Sequence, residues 1–191
     1  LLHTDHTYTI GLQARDIQGY LTTAQAAEVR DVVPVRSMQN NEMIAYAEWL
    51  FQVFQPFYPQ TRFILDWPNA NANAYSFALD DEQPYVLIQG GLLRTQPLGW
   101  QGMALIIAYC VSRFLPGTPR GLDGELCKVQ ADEATGAVLR NVFFPLYPNV
   151  AFDAIKQLQA LFDTLESKQD APVANCSPVD LNCRIEIYKA T

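Results

Sequence analysis

Apolar residues recur along this chain at two spacings, one typical of helices and the other typical of strands. Between positions 41 and 55 they lie three or four residues apart, which predicts a helix with one buried face that ends before Pro56. The apolar positions of this helix are Met43, Ile44, Ala47, Leu50, Phe51 and Phe54. The same spacing, interrupted by proline-containing segments, predicts three more long helices at about 102–115, 124–143 and 151–165.

Short runs of β-branched and aromatic residues predict strands at 62–67, 74–79, 85–89 and 184–188. The second and third runs are separated by a turn-rich segment and therefore predict an antiparallel hairpin. We expect an α+β fold that is mostly helical, with a small antiparallel β-hairpin or sheet.

The first part of the chain has a mixed pattern, and Pro34 disfavours a helix at the residue before it. We therefore separate an N-terminal segment, residues 1–36, from a domain at 37–191. The segment is a candidate interaction arm, and the sequence leaves open whether it packs on this domain or on another subunit. It carries both histidines of the chain, His3 and His6, which we expect to be solvated rather than metal ligands.

Composition and charge exclude some classes of function. The chain has 191 residues, 49% of them hydrophobic, and a formal net charge of −7. This acidic balance argues against nonspecific nucleic-acid binding, which needs clustered lysines and arginines. Because the apolar runs are too short to cross a membrane, we expect no transmembrane segment.

The cysteines and the first residues bear on the compartment. The chain begins with Leu1-Leu2 rather than Met, which fits a removed signal peptide and equally a trimmed chain. Cys176 and Cys183 flank a loop-like stretch and are one candidate disulfide, and Cys110 and Cys127 are another. An even cysteine count favours a periplasmic, secreted or cell-envelope location over four thiols in a reducing compartment.

Two predicted helical stretches, 108–114 and 127–132, carry the most informative spacing. Tyr109 and Arg113 are four residues apart and share one helix face, and so do Lys128 and Asp132. Zinc peptidases space their ligands in this way, although the ligand side chains themselves are missing here.

The preceding segment resembles a known family. Residues 73–79 are Asn-Ala-Tyr-Ser-Phe-Ala-Leu, and residues 85–93 are Tyr-Val-Leu-Ile-Gln-Gly-Gly-Leu-Leu. In this order, followed by two helices, they resemble the edge strand and active-site region of gluzincin metallopeptidases, in the branch of CAAX-prenyl endopeptidases and small periplasmic metallopeptidases. The resemblance covers about residues 62–140 and implies a zincin-like domain.

The resemblance also implies a degenerate site. The two histidine ligands fall on Tyr109 and Arg113, the general-base glutamate on Cys110 and the glutamate ligand on Lys128. Of the family motif, only Ala131-Asp132 matches. Arginine and protonated lysine have no lone pair to give to zinc, so we expect no metal, no cofactor and no zinc-activated water.

The substitutions suggest what replaced the metal. We expect Arg113 and Lys128 to face Asp132 with a net charge near +1 and to join the two helices, while Tyr109 fills the vacated volume. The alternative is that these side chains are solvated in an open cleft and contribute little.

The expected function is that of a non-catalytic, metallopeptidase-like structural module. We expect a pseudopeptidase subunit of a secreted or cell-envelope assembly, such as a secretion machine, with other protein subunits as partners. One alternative is a peptide-binding protein that uses the former substrate cleft and its strand edge. Another is an enzyme with relocated chemistry at Cys110, Asp132, Glu133 or the two histidines. Cys110, Ser76 and Ser112 all lack a histidine nearby in the sequence to act as base.

Overall fold

The computed structural model describes residues 36, 41–78, 83–121, 124–163 and 181–191. The predictions for residues 1–35 and for both histidines lie outside these residues. In chain order the elements are α1 (Asn41–Phe54), β1 (Arg62–Asp66), β2 (Ala74–Ala78), β3 (Pro84–Gln89), α2 (Gly90–Leu93), α3 (Trp100–Ser112), α4 (Lys128–Phe143), α5 (Tyr147–Phe162) and α6 (Leu181–Ala190).

The three strands form a mixed sheet in the order β1-β3-β2. β2 and β3 pair antiparallel, with Ser76 opposite Val86, as the hairpin prediction required. β1 runs parallel to β3, so the sheet is not wholly antiparallel as expected. The parallel pair is possible because the chain crosses over through residues 67–83, which include β2.

α3 is the central helix of the domain, and it packs against α1, α4, α5 and the sheet. Its middle is apolar on all sides, which is the pattern of a helix enclosed by other elements. The core around it includes Leu50 and Phe54 of α1, Ile107 of α3 and Leu139 of α4, all essentially inaccessible to solvent. The mostly helical α+β prediction is confirmed.

The predicted strand at 184–188 is wrong, because these residues belong to helix α6. Ile185 and Tyr188 are buried while Ile187, between them, is less so, which is the three-residue spacing of a helix face. The alternation of Ile185 and Ile187 is also compatible with a strand. These residues form a helix because α6 packs against α4 and α5.

The ends of two other helices also differ from prediction. Helix α4 begins at Lys128 rather than near 124. It cannot start earlier, because Gly124 has a positive φ of 76° and Leu126 forms an isolated bridge to Arg120. Pro148 was expected to break the chain, but it lies in the first turn of α5, where its missing N–H costs no hydrogen bond.

A close backbone contact explains the glycine pair after β3. A Cβ atom on Gly90 would lie 2.0 Å from Trp67 O, and one on Gly91 would lie 2.1 Å from Ala70 O. The loop that follows β1 therefore needs glycine at both positions. Arg94 holds the same loop, because its guanidinium donates to Trp67 O at 2.9 Å and lies over the Trp67 ring.

Candidate functional site

The five residues of the predicted degenerate site lie where α3 and α4 pack together. Tyr109 and Cys110 are in the last turn of α3, and Arg113 caps its C-terminus. Lys128 is the first residue of α4 and is partly buried, and Asp132 lies one turn later and is fully buried. Tyr109 is close enough to Cys110, Arg113 and Asp132 for these groups to act on its pKa.

Asp132 is held by helix α6, which the sequence analysis did not include in the site. Its two carboxylate oxygens accept hydrogen bonds from Arg184, from Nε at 2.9 Å and from Nη2 at 2.8 Å. The hydroxyl of Tyr188 donates a further, short hydrogen bond to the same carboxylate. The fork of Arg184 therefore makes the two-point contact with a carboxylate that gives the strongest ion pairs.

The predicted pairing of Arg113 with Asp132 is wrong. Arg113 was expected to face Asp132, but its Nε donates to Glu125 Oε2 at 2.8 Å, and both side chains are buried. Ser76 of β2 donates to the same oxygen at 2.8 Å. Because Glu125 precedes α4 and Ser76 lies on the sheet, this second cluster ties the edge strand to the end of α3.

Tyr109 lies between the two clusters and under a cation. The guanidinium carbon of Arg184 is 4.4 Å from the centre of the Tyr109 ring, within the range of a cation–π contact. Burial raises the pKa of Tyr109 to about 12, so the phenol stays protonated at neutral pH. A protonated phenol stacked in this way is a packing group rather than a metal ligand.

Two neutral ion pairs account for four of the charges at the site, because Arg113 pairs with Glu125 and Arg184 pairs with Asp132. Lys128, which is partly buried at the start of α4, adds one positive charge, so the five charges sum to +1. Burying two matched pairs requires less compensation than burying a net charge.

Cys110 is not placed to act as a nucleophile. Its side chain is 2% exposed, and burial raises its pKa to about 12, with the charge of Glu125 adding to the effect. A thiol needs the ionised form to attack, so this site keeps it inert. Arg113 and Arg184 act in the opposite direction but do not overcome the burial.

The candidate disulfide Cys110–Cys127 is wrong, because Cys110 is a buried thiol. The pair Cys176–Cys183 stays a prediction. Cys127 is disulfide-bonded. Cys176 lies outside the described residues.

Among the described residues, no three His, Cys, Asp or Glu side chains come together in a way that could hold a metal ion. The donor set around Tyr109 consists of two guanidinium groups and two carboxylates that already bind them, which is unsuited to a cation. Of the described helices, none is long and apolar enough to cross a membrane.

Three residues of the site were missed by the sequence analysis: Glu125, Arg184 and Tyr188. Arg184 and Tyr188 are four residues apart, the same spacing that singled out Tyr109 with Arg113. That signal was present, but in the predicted strand the two side chains lie about 13 Å apart on one face, too far from each other to bind the same group. No local sequence pattern marks Glu125, because it lies in the segment before α4 rather than on a helix face.

In comparisons with known proteins, the chain matches no protein-family model, no curated protein and no solved structure.

Proposed function

We propose that this chain is a non-catalytic, metallopeptidase-like module whose site has become a structural ion-pair cluster. The observation that carries the proposal is the position of Arg184. Its guanidinium is bonded to Asp132 and stacked on Tyr109, two positions that the gluzincin resemblance assigns to the neighbourhood of the metal. A fixed side-chain cation takes over the charge that the metal would supply in the parent family.

The order of the elements supports the same proposal. In the resemblance, an edge strand is followed by the active-site helix and then by the helix with the third ligand. Here β2 is an edge strand of the described sheet, antiparallel to β3, and α3 and α4 follow it in that order. Ser76 of β2 reaches the buried Glu125 at 2.8 Å, so the strand and the former site form one packed unit.

The chemistry of the cluster argues for structure and against catalysis. The two carboxylates are engaged by arginines, the thiol of Cys110 is buried, and the phenol of Tyr109 stays protonated. A general base or nucleophile has to reach a substrate with a usable lone pair. These groups instead join α3, α4, α6 and β2.

We further propose that the module works as a protein subunit of a secreted or cell-envelope assembly. A subunit needs apolar surface for a partner to cover. The corner between α4 and α5 offers it, since Phe144 is 79% exposed, Leu146 62% and Phe152 60%. We call these three residues the α4–α5 corner.

The assembly role is tested in extracts of cells that make the protein naturally. Wild type is expected to elute from a sizing column far above its chain mass of 21.5 kDa. The variant Phe144→Ser/Phe152→Ser is expected to elute at the monomer mass. Trp49→Ser, which changes an exposed aromatic residue of α1, serves as the control and should elute with wild type. Elution of wild type as a monomer would contradict the role.

A second candidate function is peptide binding at the edge of the sheet. It is favoured by the position of β1 at one end of the strand order, where Arg62 is exposed and the next three residues are half-buried, because an edge strand can pair with an added peptide strand. Extended peptides should then raise the melting temperature of the protein, and proline at alternate peptide positions should abolish the effect. Equal effects of both peptide types would exclude this mode of binding.

A further inference from the structure

The guanidinium of Arg36 donates hydrogen bonds to several backbone carbonyls in the loop between α2 and α3. Its Nη1 donates to Thr95 O at 2.6 Å and to Leu98 O at 2.9 Å, and its Nη2 donates to Gln96 O at 2.8 Å. We call these three carbonyl oxygens the carbonyl site. The side chain reaches across about sixty positions of sequence, so this is a tertiary contact rather than a local turn.

Main-chain contacts strengthen the same docking. The N–H of Arg36 donates to Arg94 O at 2.6 Å, and Nη1 lies 3.4 Å from Leu93 O. Arg94 in turn donates to Trp67 O and to Asn69 O. Hydrogen bonds therefore connect Arg36 through Arg94 to the loop after β1.

The carbonyl site is shaped by bonds that do not involve Arg36. Thr95 Oγ1 donates to Leu92 O at 2.7 Å, and the N–H of Leu98 donates to Thr95 O at 3.2 Å. Both Thr95 and Leu98 are buried. The oxygens are thus held in place by the loop itself, and a cavity of matching shape should persist when the arginine side chain is removed.

The chemistry of the site selects a planar cation with several N–H groups. All the oxygens that Arg36 contacts are neutral carbonyls, so directional hydrogen bonds rather than opposite charge hold the ligand. A guanidinium presents five N–H donors in one rigid plane, whereas an ammonium is a compact, strongly hydrated ion with three. We propose that the α2–α3 loop is a guanidinium-binding site that Arg36 fills from within the chain.

Chemical rescue tests the proposal. Arg36→Ala should lower the melting temperature by about 3–8 °C, since several charge-assisted hydrogen bonds are lost. Low-millimolar ethylguanidinium should then raise the melting temperature of Arg36→Ala by a few degrees and leave wild type unchanged. Ethylammonium at the same concentration should have no such effect.

Two further variants make the test selective. Arg62→Ala removes an exposed arginine that donates to Gln83 rather than to the carbonyl site, and it should show no rescue. Arg36→Lys should lose most of the melting temperature that Arg36→Ala loses, because the N–H groups of an ammonium point tetrahedrally and do not match oxygens arranged around a planar guanidinium. If Arg36→Ala does not fold, its refolding yield with ethylguanidinium is compared with its yield with ethylammonium. Equal effects of the two cations, or a wild-type melting temperature for Arg36→Lys, would overturn the proposal.

Discussion

At the scale of single residues, Asp132 is the position on which the ion-pair cluster of α4 and α6 depends most. Asp132→Asn keeps the shape of the side chain but removes the charge that faces Arg184, and so leaves a buried cation without its partner. We expect the free energy of unfolding to fall by about 3 kcal/mol. Urea denaturation monitored by tryptophan fluorescence measures it.

The matched control is a solvent-exposed ion pair on α6, the helix that carries Arg184. Lys189 and Glu186 are 2.7 Å apart, with about half or more of each side chain exposed. Glu186→Gln should change the free energy of unfolding by less than about 1 kcal/mol. Similar losses for Asp132→Asn and Glu186→Gln would show that Asp132 and Arg184 are not the buried pair described here.

Cys110 makes stability depend on pH. Burial raises its pKa to about 12 in the folded state, whereas an unfolded thiol ionises near 8.5. The folded form therefore retains a proton that the unfolded form releases. The stabilisation is complete below about pH 8.5 and is lost as the pH rises toward 12.

The test compares wild type with Cys110→Ala between pH 8 and pH 11. The free energy of unfolding of wild type should fall more steeply, by up to about 1.4 kcal/mol per pH unit from this one thiol. Ionisation of Tyr109, whose pKa is also raised to about 12, is common to both proteins and cancels in the difference. Parallel curves for the two proteins would mean that Cys110 is not buried as described.

At the scale of elements, the end of α6 is positioned by Thr191, the residue that follows this helix and packs on α4. A Cβ atom on Gly136 of α4 would lie 2.5 Å from Thr191 Oγ1 and 2.7 Å from Thr191 Cβ. Arg140 also donates to Thr191 O at 2.8 Å. The glycine inside α4, which is unfavourable for a helix, is thus explained by close packing.

Gly136→Ala should destabilise the protein even though alanine is better in a helix by about 1 kcal/mol. The added methyl group must displace Thr191 and the end of α6. In a Thr191→Gly background the same substitution should become neutral or stabilising, because the clash is gone. Both pairs of proteins are compared by thermal unfolding. An unchanged effect of Gly136→Ala in the two backgrounds would contradict the packing.

The start of α3 is capped by a side chain from another helix. Gln157 of α5 accepts hydrogen bonds from the N–H groups of Gly99 and Gly102, both at 2.8 Å. Gln157→Ala should cost about 1–2 kcal/mol, as for the loss of a helix cap. Gln157→Glu keeps an acceptor at this position and should retain most of the stability, and equal losses for both variants would argue against the cap.

Most elements could be predicted from the sequence, and the exceptions have a physical reason. The helix at 41–54 and the hairpin of β2 and β3 follow from local periodicity, which is the strongest signal in a single sequence. Helix α6 could not be distinguished from a strand because Ile185 and Ile187 also alternate, and its buried face is created by α4 and α5. The parallel pairing of β1 with β3 is likewise a tertiary choice.

The site could be predicted in outline but not in its contacts. Tyr109, Cys110, Arg113 and Asp132 lie near one another, because the helices α3 and α4 that carry them are in contact. Arg184 could not be found because it lies 52 positions from Asp132, and Glu125 could not be found because it precedes α4 and lies outside the helical pattern. Periodicity reports which face is buried and not which charge is paired.

At the scale of the whole molecule, the state of the cysteines can be measured directly. Cys127 is disulfide-bonded, whereas Cys110 is a buried thiol. Peptide mapping without reduction should find Cys127 in a disulfide-linked peptide, and alkylation of the native protein should leave Cys110 unlabelled. A mapped link from Cys127 to Cys110 would contradict the assignment.

The central claim, that the cation of Arg184 occupies a degenerate metal site, is tested most directly by the zinc content of the purified protein. Elemental mass spectrometry on the protein, supplied with zinc and then freed of unbound metal, gives the number of zinc ions per chain. The account predicts less than about a tenth of an equivalent, because a real structural or catalytic site would retain the metal. One equivalent that is lost in Asp132→Asn would contradict it, since the cluster of α3, α4 and α6 would then be a metal centre.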